Sequence, residues 1–343
     1  MVEKSEAERL VQAIHDNLPA PVGDRRPVHT IGMGVKGEFV ASDAARTYCI
    51  AEHFQGQPVP VSMRFSNGLG GLVEHDGWSD VRGMAVRFHL ADGTASDLIA
   101  TTLGEFFVRN VEDFFEFSNI AKLQPYQRRH WLLKIFDYLQ LKVPPRNPYP
   151  NETESVDAGA LDYANRHRFS QLGIFQVGAI GAPESYARAS YHAVHTFWVT
   201  APDGVRRPVR FYWQPVAGVN NTDPKAELRD KYLFDELKER LKRWPARFML
   251  MMTIGEADDA LDDCTAPWPG TRQRIAMGTL TLTGIPEGAE QAEAGERISF
   301  NPCRLAPGIE ASNDPILEAR LGAYEVSREM RGGCPFKWSA DNA

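Results

Sequence analysis

Near the end of the chain, Arg320 and Tyr324 stand four residues apart within ILEARLGAYEVSREMR. Asp314-Pro315 before this run and Gly332-Gly333 after it are start and stop signals, which predicts a helix over about 315–331. At about 100° per residue, with Arg320 as zero, Tyr324 falls near 40° and Arg331 near 20°. Glu318, Glu325 and Glu329 fall near 160°, 140° and 180° on the same wheel. Two arginines and a tyrosine thus share one face, and the acids share the other. Gly322 and Ala323 are small, so something bulky could approach beside the tyrosine. A phenol in water ionises near pH 10, but a cation at roughly 4 Å in an effective dielectric near 20 contributes about 4 kcal/mol. The pair could therefore present a phenolate to a metal. The wheel also fits an ordinary amphipathic helix with arginine and tyrosine in solvent, and spacing alone leaves both readings open.

The rest of the chain must supply the frame for such a helix. Its 343 residues, 43% of them apolar, suffice for a sizeable core in one large domain or two. A net charge of −7 argues against a general binder of nucleic acid or anionic membrane. No apolar run reaches the 18 or so residues of a membrane span. The first residues, MVEKSEAERLVQAIHDNL, are too polar for a signal peptide, so a cytoplasmic protein is expected unless a leader was removed. Cys49, Cys264, Cys303 and Cys334 are scattered without a CxxC, which reads as free thiols rather than a zinc site or a disulfide framework.

Ser5 with Glu8 makes a capping box for a first helix over about 5–17. A second helix is expected from Ser42-Asp43 through AARTYCIAEHF. Strand patterns follow in PVSMRFS, VRGMAVRFHL and SDLIAT, and helices return from about Val111 to Leu141. KVPPRNPYPNETE reads as a surface linker. HAVHTFWVT and RPVRFYWQPV form an expected hairpin, and Asp223-Pro224 should open the helix AELRDKYLFDELKERLKRW. ARFMLMMTI, RIAMGTLTLTG and ERISFNP complete seven or eight strands joined mostly by short turns, enough for a largely antiparallel barrel. Gly32-Met-Gly-Val-Lys-Gly37 is a literal GxGxxG. It lacks the strand before it and the helix at its glycines that a dinucleotide site needs, and its glycines are expected to let the backbone turn closely around a pocket.

The run LAPGIEASNDPILEARLGAY closely resembles the proximal-helix region of the haem catalases, with their PGIEPS…D..L..RL..Y pattern. Further motifs are similar and in the same order: Arg26-Pro-Val-His29 followed by TIGMGVKGEF, Met63-Arg-Phe-Ser66, Asp80-Val-Arg-Gly-Met-Ala-Val86, Asp97-Leu98, Phe106-Phe-Val-Arg109, His195-Thr-Phe197 and Trp268-Pro269. The resemblance implies an α+β fold, an antiparallel catalase-type barrel of about eight strands with flanking helices, in a single haem domain over 1–343. It implies that Tyr324 is the axial ligand of haem, haem b in the family's manner, with Arg320 as its partner. His29 would be the distal acid–base residue, held by Ser66, which accepts from its other ring nitrogen. Arg26, Arg64 and Arg331 would pair with the haem propionates. Val28 and Phe114 would pack on the porphyrin, and Phe106 and Phe107 would line the distal pocket.

The chain departs from the family in two places. Where catalases carry a distal asparagine, this chain has Thr101, whose hydroxyl lacks the amide's two N–H donors. The first step, peroxide reduction, should survive on His29. The second, oxidation of another peroxide to dioxygen, should weaken. The resemblance therefore implies a peroxidase that reduces hydrogen peroxide or organic hydroperoxides with a small organic reductant, and a weak catalase. Fatty-acid hydroperoxide rearrangement, as in allene oxide synthase relatives, and a non-catalytic haem carrier or sensor are the alternatives. Only nineteen residues follow Tyr324, so the large C-terminal extension of full catalases is missing. A small catalase-related peroxidase is expected, a homodimer rather than a tetramer, without tight NADPH binding and with neither nucleic acid nor membrane as partner.

Overall fold

Alternation of buried and outward residues builds the sheet. In Arg206–Pro215, Val209, Phe211 and Trp213 are buried while Arg210 and Tyr212 face the other way, the period of two of a half-buried strand. The computed structural model describes residues 4–17, 26–68, 75–78, 80–120, 130–142, 159–223, 225–292, 295 and 297–331. Its strands are β1 (Gly32–Ala41), β2 (Val59–Asn67), β3 (Arg82–His89), β4 (Ala95–Thr101), β5 (Tyr191–His192), β6 (Phe197–Thr200), β7 (Arg206–Pro215), β8 (Ala246–Ile254), β9 (Arg274–Gly284) and β10 (Ile309–Ala311). Eight of them close a ring in the order β1-β2-β3-β4-β5-β7-β8-β9 and back to β1, every pairing antiparallel. β6 and β10 extend it beside β7. Closure leaves these eight without a free ladder edge along their paired lengths. The lumen is filled by fully buried rings: Phe39 meets Phe88 edge-on at 5.2 Å and Trp213 at 6.1 Å. Each such ring contributes about 1.5–3 kcal/mol by leaving water.

The helices are α1 (Glu6–Asn17), α2 (Ala45–Tyr48), α3 (Val111–Ile120), α4 (Trp131–Leu139), α5 (Gly159–Arg166), α6 (Gln171–Ala179), α7 (Tyr232–Arg243), α8 (Gly288–Ala292) and α9 (Pro315–Met330). The expected capping box opens α1: Glu8 N–H donates to Ser5 Oγ at 3.2 Å, and Ser5 N–H donates to Glu8 Oε2 at 2.7 Å. α9 begins as expected, with the Asp314 carboxylate accepting from Ile316 and Leu317 N–H. Gly332 and Gly333, the KVPPRNPYPNETE stretch beyond Lys142, and Cys334 lie outside the described residues.

Four expectations are corrected. The GxGxxG glycines do not turn around a pocket; they lie in the extended β1, which fills the place in the ring that ERISFNP was expected to take. ERISFNP forms no strand, because its region's carbonyls serve side chains instead: Gly295 and Ile298 accept from Arg26, and Ser299 accepts from Arg87 and Arg304. The helix after Ser42 stops at Tyr48, since Cys49 turns to an extended φ of −149° and Ile50 N–H joins Thr200 O across the sheet. The helix expected from Asp223 begins only at Tyr232. Asp223 instead accepts from Lys225 N–H in a local turn, Lys231 at φ 58° blocks continuation, and the buried Asp76 caps the helix start through Leu233 N–H at 2.9 Å.

Candidate functional site

His29 lies just before β1, in backbone that only special surroundings hold: its φ is +53°, uncommon for a residue with a side chain. Its N–H donates to Gly68 O at 3.0 Å, and its Nδ1 meets Ser66 Oγ at 3.0 Å. Ser66 on β2 is in register with Gly83 on β3, and Gly83 with Thr101 on β4. A Cβ at Gly83 would stand 2.6 Å from Ser66 Oγ and 2.8 Å from His29 Nδ1. Glycine there is the space in which the histidine and serine meet. Thr101 shares the row, and its hydroxyl is turned to its own chain, accepting from Leu103 N–H at 3.3 Å.

Two guanidinium groups close on the same region. Arg64 donates from Nε to Gly295 O at 2.5 Å and from Nη2 to Thr30 O at 3.1 Å. Arg26 donates to the same Gly295 carbonyl at 3.1 Å and to Ile298 O at 2.5 Å. Burial, then the charges of Arg64, Arg320 and Arg26, push the His29 imidazole down to about 3. His29 is therefore neutral at any ordinary pH. With Nδ1–H donating to Ser66, its Nε2 presents a lone pair that can take a proton.

The charge of Arg320 is among those that lower His29, which brings α9 within electrostatic reach of the residue before β1. Arg320 Nη2 donates to Tyr324 Oη at 2.9 Å, and its Nη1 meets His195 Nε2 at 2.8 Å. His195 Nδ1 in turn meets Asp314 Oδ2 at 2.7 Å. Arginine can only donate, so Nε2 of His195 accepts and Nδ1 carries the hydrogen that goes to Asp314. Burial lowers the His195 imidazole and keeps it neutral against its partner's pull. Burial alone would raise the Asp314 carboxyl, but the hydrogen bond from His195, with that from Ile316 N–H beside it, outweighs burial and holds the carboxyl low. The result is a four-residue relay from a buried carboxylate to a phenol, with its donors all oriented. His195, Cys264 and Asp314 stand close enough to hold an ion. Both nitrogens of His195 are already engaged, however, and burial pushes the Cys264 thiol far up, so the trio is a hydrogen-bonded support and not a metal centre.

Asp314 therefore does two things, capping α9 and anchoring the relay. Asp314→Ala removes the cap and leaves a buried N–H without its acceptor, for an expected loss of about 3–5 kcal/mol. A denaturant midpoint unchanged from the parent would refute this.

Phe106 and Phe107 stack at 4.3 Å, and Phe107 meets Phe117 of α3 at 4.5 Å. Phe114 packs into the same cluster with Val108 and Tyr163. Val28 sits half-buried next to His29. Arg331 donates from Nε to Ser327 O on its own helix at 3.0 Å, and no described contact joins it to Arg26 and Arg64. Beside the tyrosine, what approaches Gly322 is α1: a Cβ there would meet Ala7 Cβ at 2.9 Å. The sequence reading quoted His195 and Gly83 only inside motifs and Asp314 only as a cap. Signals for their roles existed, a histidine in a strand-end HTF and a glycine in the middle of a strand pattern, but neither names its partner.

Comparisons with known proteins identify the family and the fold. A family model described as catalase matches residues 20–146 and 141–338. The chain is 32% identical over 332 residues to a catalase-related peroxidase of Mycolicibacterium paratuberculosis, covering 95% of each. It is 29% identical over 326 residues to a catalase-related peroxidase of Synechococcus elongatus, covering 94% of this chain and 88% of that one. A catalase of Pseudomonas aeruginosa is 28% identical over 90% of this chain, which spans 57% of that protein. Among solved structures, a bacterial catalase superposes with a TM-score of 0.72 at 22% identity, over 95% of this chain and 60% of that one. That likeness speaks for the fold.

Proposed function

The chain belongs to the catalase family, and from that premise we propose that it is a haem peroxidase in which Tyr324 ligates the iron and His29 moves the peroxide proton. It is an oxidoreductase acting on peroxide, as its relatives named catalase-related peroxidase are. The observation that carries the finer reading is the relay Asp314–His195–Arg320–Tyr324, whose guanidinium charge reaches the neutral His29–Ser66 pair.

The residues suit haem. A phenol oxygen held by a guanidinium is an oxygen donor of the kind that ligates haem iron. Arg26 and Arg64 bring two cationic forks together, and such forks match carboxylates like the propionates. The sequence has no CxxCH attachment motif, which supports non-covalent haem b. Bound haem would supply the electrons that cleave the peroxide O–O bond and hold the oxidising equivalents for the reductant. The protein's own part is proton movement. His29 Nε2 takes the proton from the peroxide oxygen that stays behind and returns it to the departing oxygen, which leaves as water or, from an organic hydroperoxide, as an alcohol. Ser66 holds the imidazole in the tautomer this requires. Arg320 donates to the phenol oxygen and orients it, with His195 and Asp314 fixing the guanidinium in place. Phe106 and Phe107 exclude bulk water from the approach.

Thr101 offers no amide donors to orient a second peroxide, and its hydroxyl already serves Leu103. Dioxygen evolution is therefore slow relative to oxidation of an organic reductant. Thr101→Asn should raise the ratio of dioxygen evolved to co-substrate oxidised by about tenfold or more, the scale of one added positioning contact. An unchanged ratio would mean that another feature limits the catalase reaction. The direct test of the function is a side-by-side rate with hydrogen peroxide alone and with an organic hydroperoxide plus a dye reductant. Rapid dioxygen release with no dye oxidation would reverse the assignment. Stoichiometric isomerisation of a fatty hydroperoxide without reductant would replace it with rearrangement.

A further inference from the structure

Tyr163 on α5 carries a polar atom that the fold leaves unused. The side chain is fully buried, and its Oη has no hydrogen-bond partner among the described residues. Other buried phenols differ: Tyr186 Oη donates to Asn67 Oδ1 at 2.7 Å, and Tyr191 Oη donates to Tyr186 O at 2.8 Å. A buried hydroxyl left unpaired costs about 1–3 kcal/mol, and phenylalanine would fill the same space without that cost. What the oxygen adds is redox chemistry, since a phenol gives up an electron and a proton far more readily than a phenyl ring does.

The surroundings of Tyr163 form a path in both directions. Inward, Tyr163 meets Phe117 at 5.4 Å, Phe117 meets Phe107 at 4.5 Å, and Phe107 meets Phe106 at 4.3 Å. The same apolar cluster holds Cys264 and Ile316. Cys264 stands beside His195 and Asp314 of the relay, and Ile316 N–H donates to Asp314. Outward, His167 lies one helical turn on and packs its ring against Tyr163 at 4.4 Å. Its Nε2 meets Glu116 Oε1 at 3.0 Å, and 25% of its side chain is exposed. Burial, then the charges of Asp113 and Glu116, push the phenol above its ordinary range. The same negative charges ease the removal of an electron from the neutral ring.

We propose that Tyr163 is a redox relay, through which reductants too large to enter the pocket are oxidised at the His167 surface. The inference rests on the haem peroxidase reading. One electron passes from the phenol to the peroxide-oxidised haem, and the phenol proton passes to the Asp113 carboxylate, which leaves a neutral tyrosyl radical. A one-electron donor docked against the exposed edge of His167 then returns an electron, and the proton comes back to Oη. Two such cycles use the two oxidising equivalents that one peroxide leaves, and two donors are each oxidised by one electron. The phenylalanines hold no charge at any stage; they are the packed medium between the two ends.

The test mixes the haem-loaded full chain with one equivalent of peracetic acid and no reductant, then freezes it for electron paramagnetic resonance while the Soret band is followed in parallel. An organic radical signal is expected, narrowed when the protein is made with ring-deuterated tyrosine, and Tyr163→Phe should abolish it. Because Oη makes no hydrogen bond, the variant should match or exceed the parent's denaturant midpoint. In turnover, Tyr163→Phe should lower the rate with a dextran-tethered dye, relative to the rate with ethanol, by about tenfold or more. A Soret change without a tyrosyl signal overturns the relay and leaves the peroxidase assignment standing. So does a parent that cannot oxidise the tethered dye, or a signal or dye-to-ethanol ratio that Tyr163→Phe leaves unchanged. A Soret band that peracetic acid does not move overturns both.

Discussion

Tyr324→Phe is expected to leave the barrel intact and, on the proposed ligation, to take away the protein's hold on the haem iron. The substitution removes one oxygen, the acceptor of the Arg320 Nη2 hydrogen bond at 2.9 Å. α9 keeps its Asp314 cap, and the Asp314–His195–Arg320 part of the relay keeps its bonds. Folding should therefore change little, while haem affinity and peroxide consumption fall by more than about 100-fold, the scale already reached when a ligand loses only its outer partner. The Soret band reports the change directly. A Soret spectrum and haem affinity matching the parent would show that the iron is held elsewhere.

His29→Ala gives the opposite dissociation: haem stays and chemistry stops. His195, the other neutral imidazole of fixed tautomer, already has its Nε2 engaged by Arg320, so peroxide consumption should drop by about 10²–10⁴-fold, the usual worth of positioned acid–base catalysis. Retention of most of the parent's rate would remove His29 from the mechanism. The parent's pH dependence belongs to the same experiment. Since burial and three cations hold the imidazole near 3, it does not titrate between pH 5 and 8, and the rate of the peroxide step should be flat there. Stability has its own sign. A histidine lowered in the folded state stays neutral there while its unfolded counterpart takes up a proton, so its effect is absent above about pH 6.5 and costs stability as pH falls towards 3.

Much of the barrel was legible because half-buried strands announce themselves: RPVRFYWQPV and ARFMLMMTI alternate, and each is a strand. β1 was not, because glycines at 32, 34 and 37 erase the alternation that identifies a strand. ERISFNP shows the converse. Its local pattern is strand-like, but guanidinium groups from distant residues claim its carbonyls, a tertiary fact no window of sequence holds. The same reason limited the site. Tyr324 and Arg320 sit on one helix, so a wheel finds them. His195 and Asp314 are 119 positions apart, and only the folded chain shows that one orients the other. The reach of Asp76 to the start of α7 is equally non-local.

The clasp of Arg26 and Arg64 on the Gly295 carbonyl carries a consequence for biosynthesis. Its partners lie 269 and 231 positions apart along the polypeptide, and the phenol follows later still, at position 324. On the proposed ligation, a ribosome that has not yet passed position 295 has released the proton-moving half of the centre but neither the clasp nor Tyr324. Stable cofactor insertion must then wait for synthesis to pass that tyrosine, and long-range contacts of this kind fold slowly.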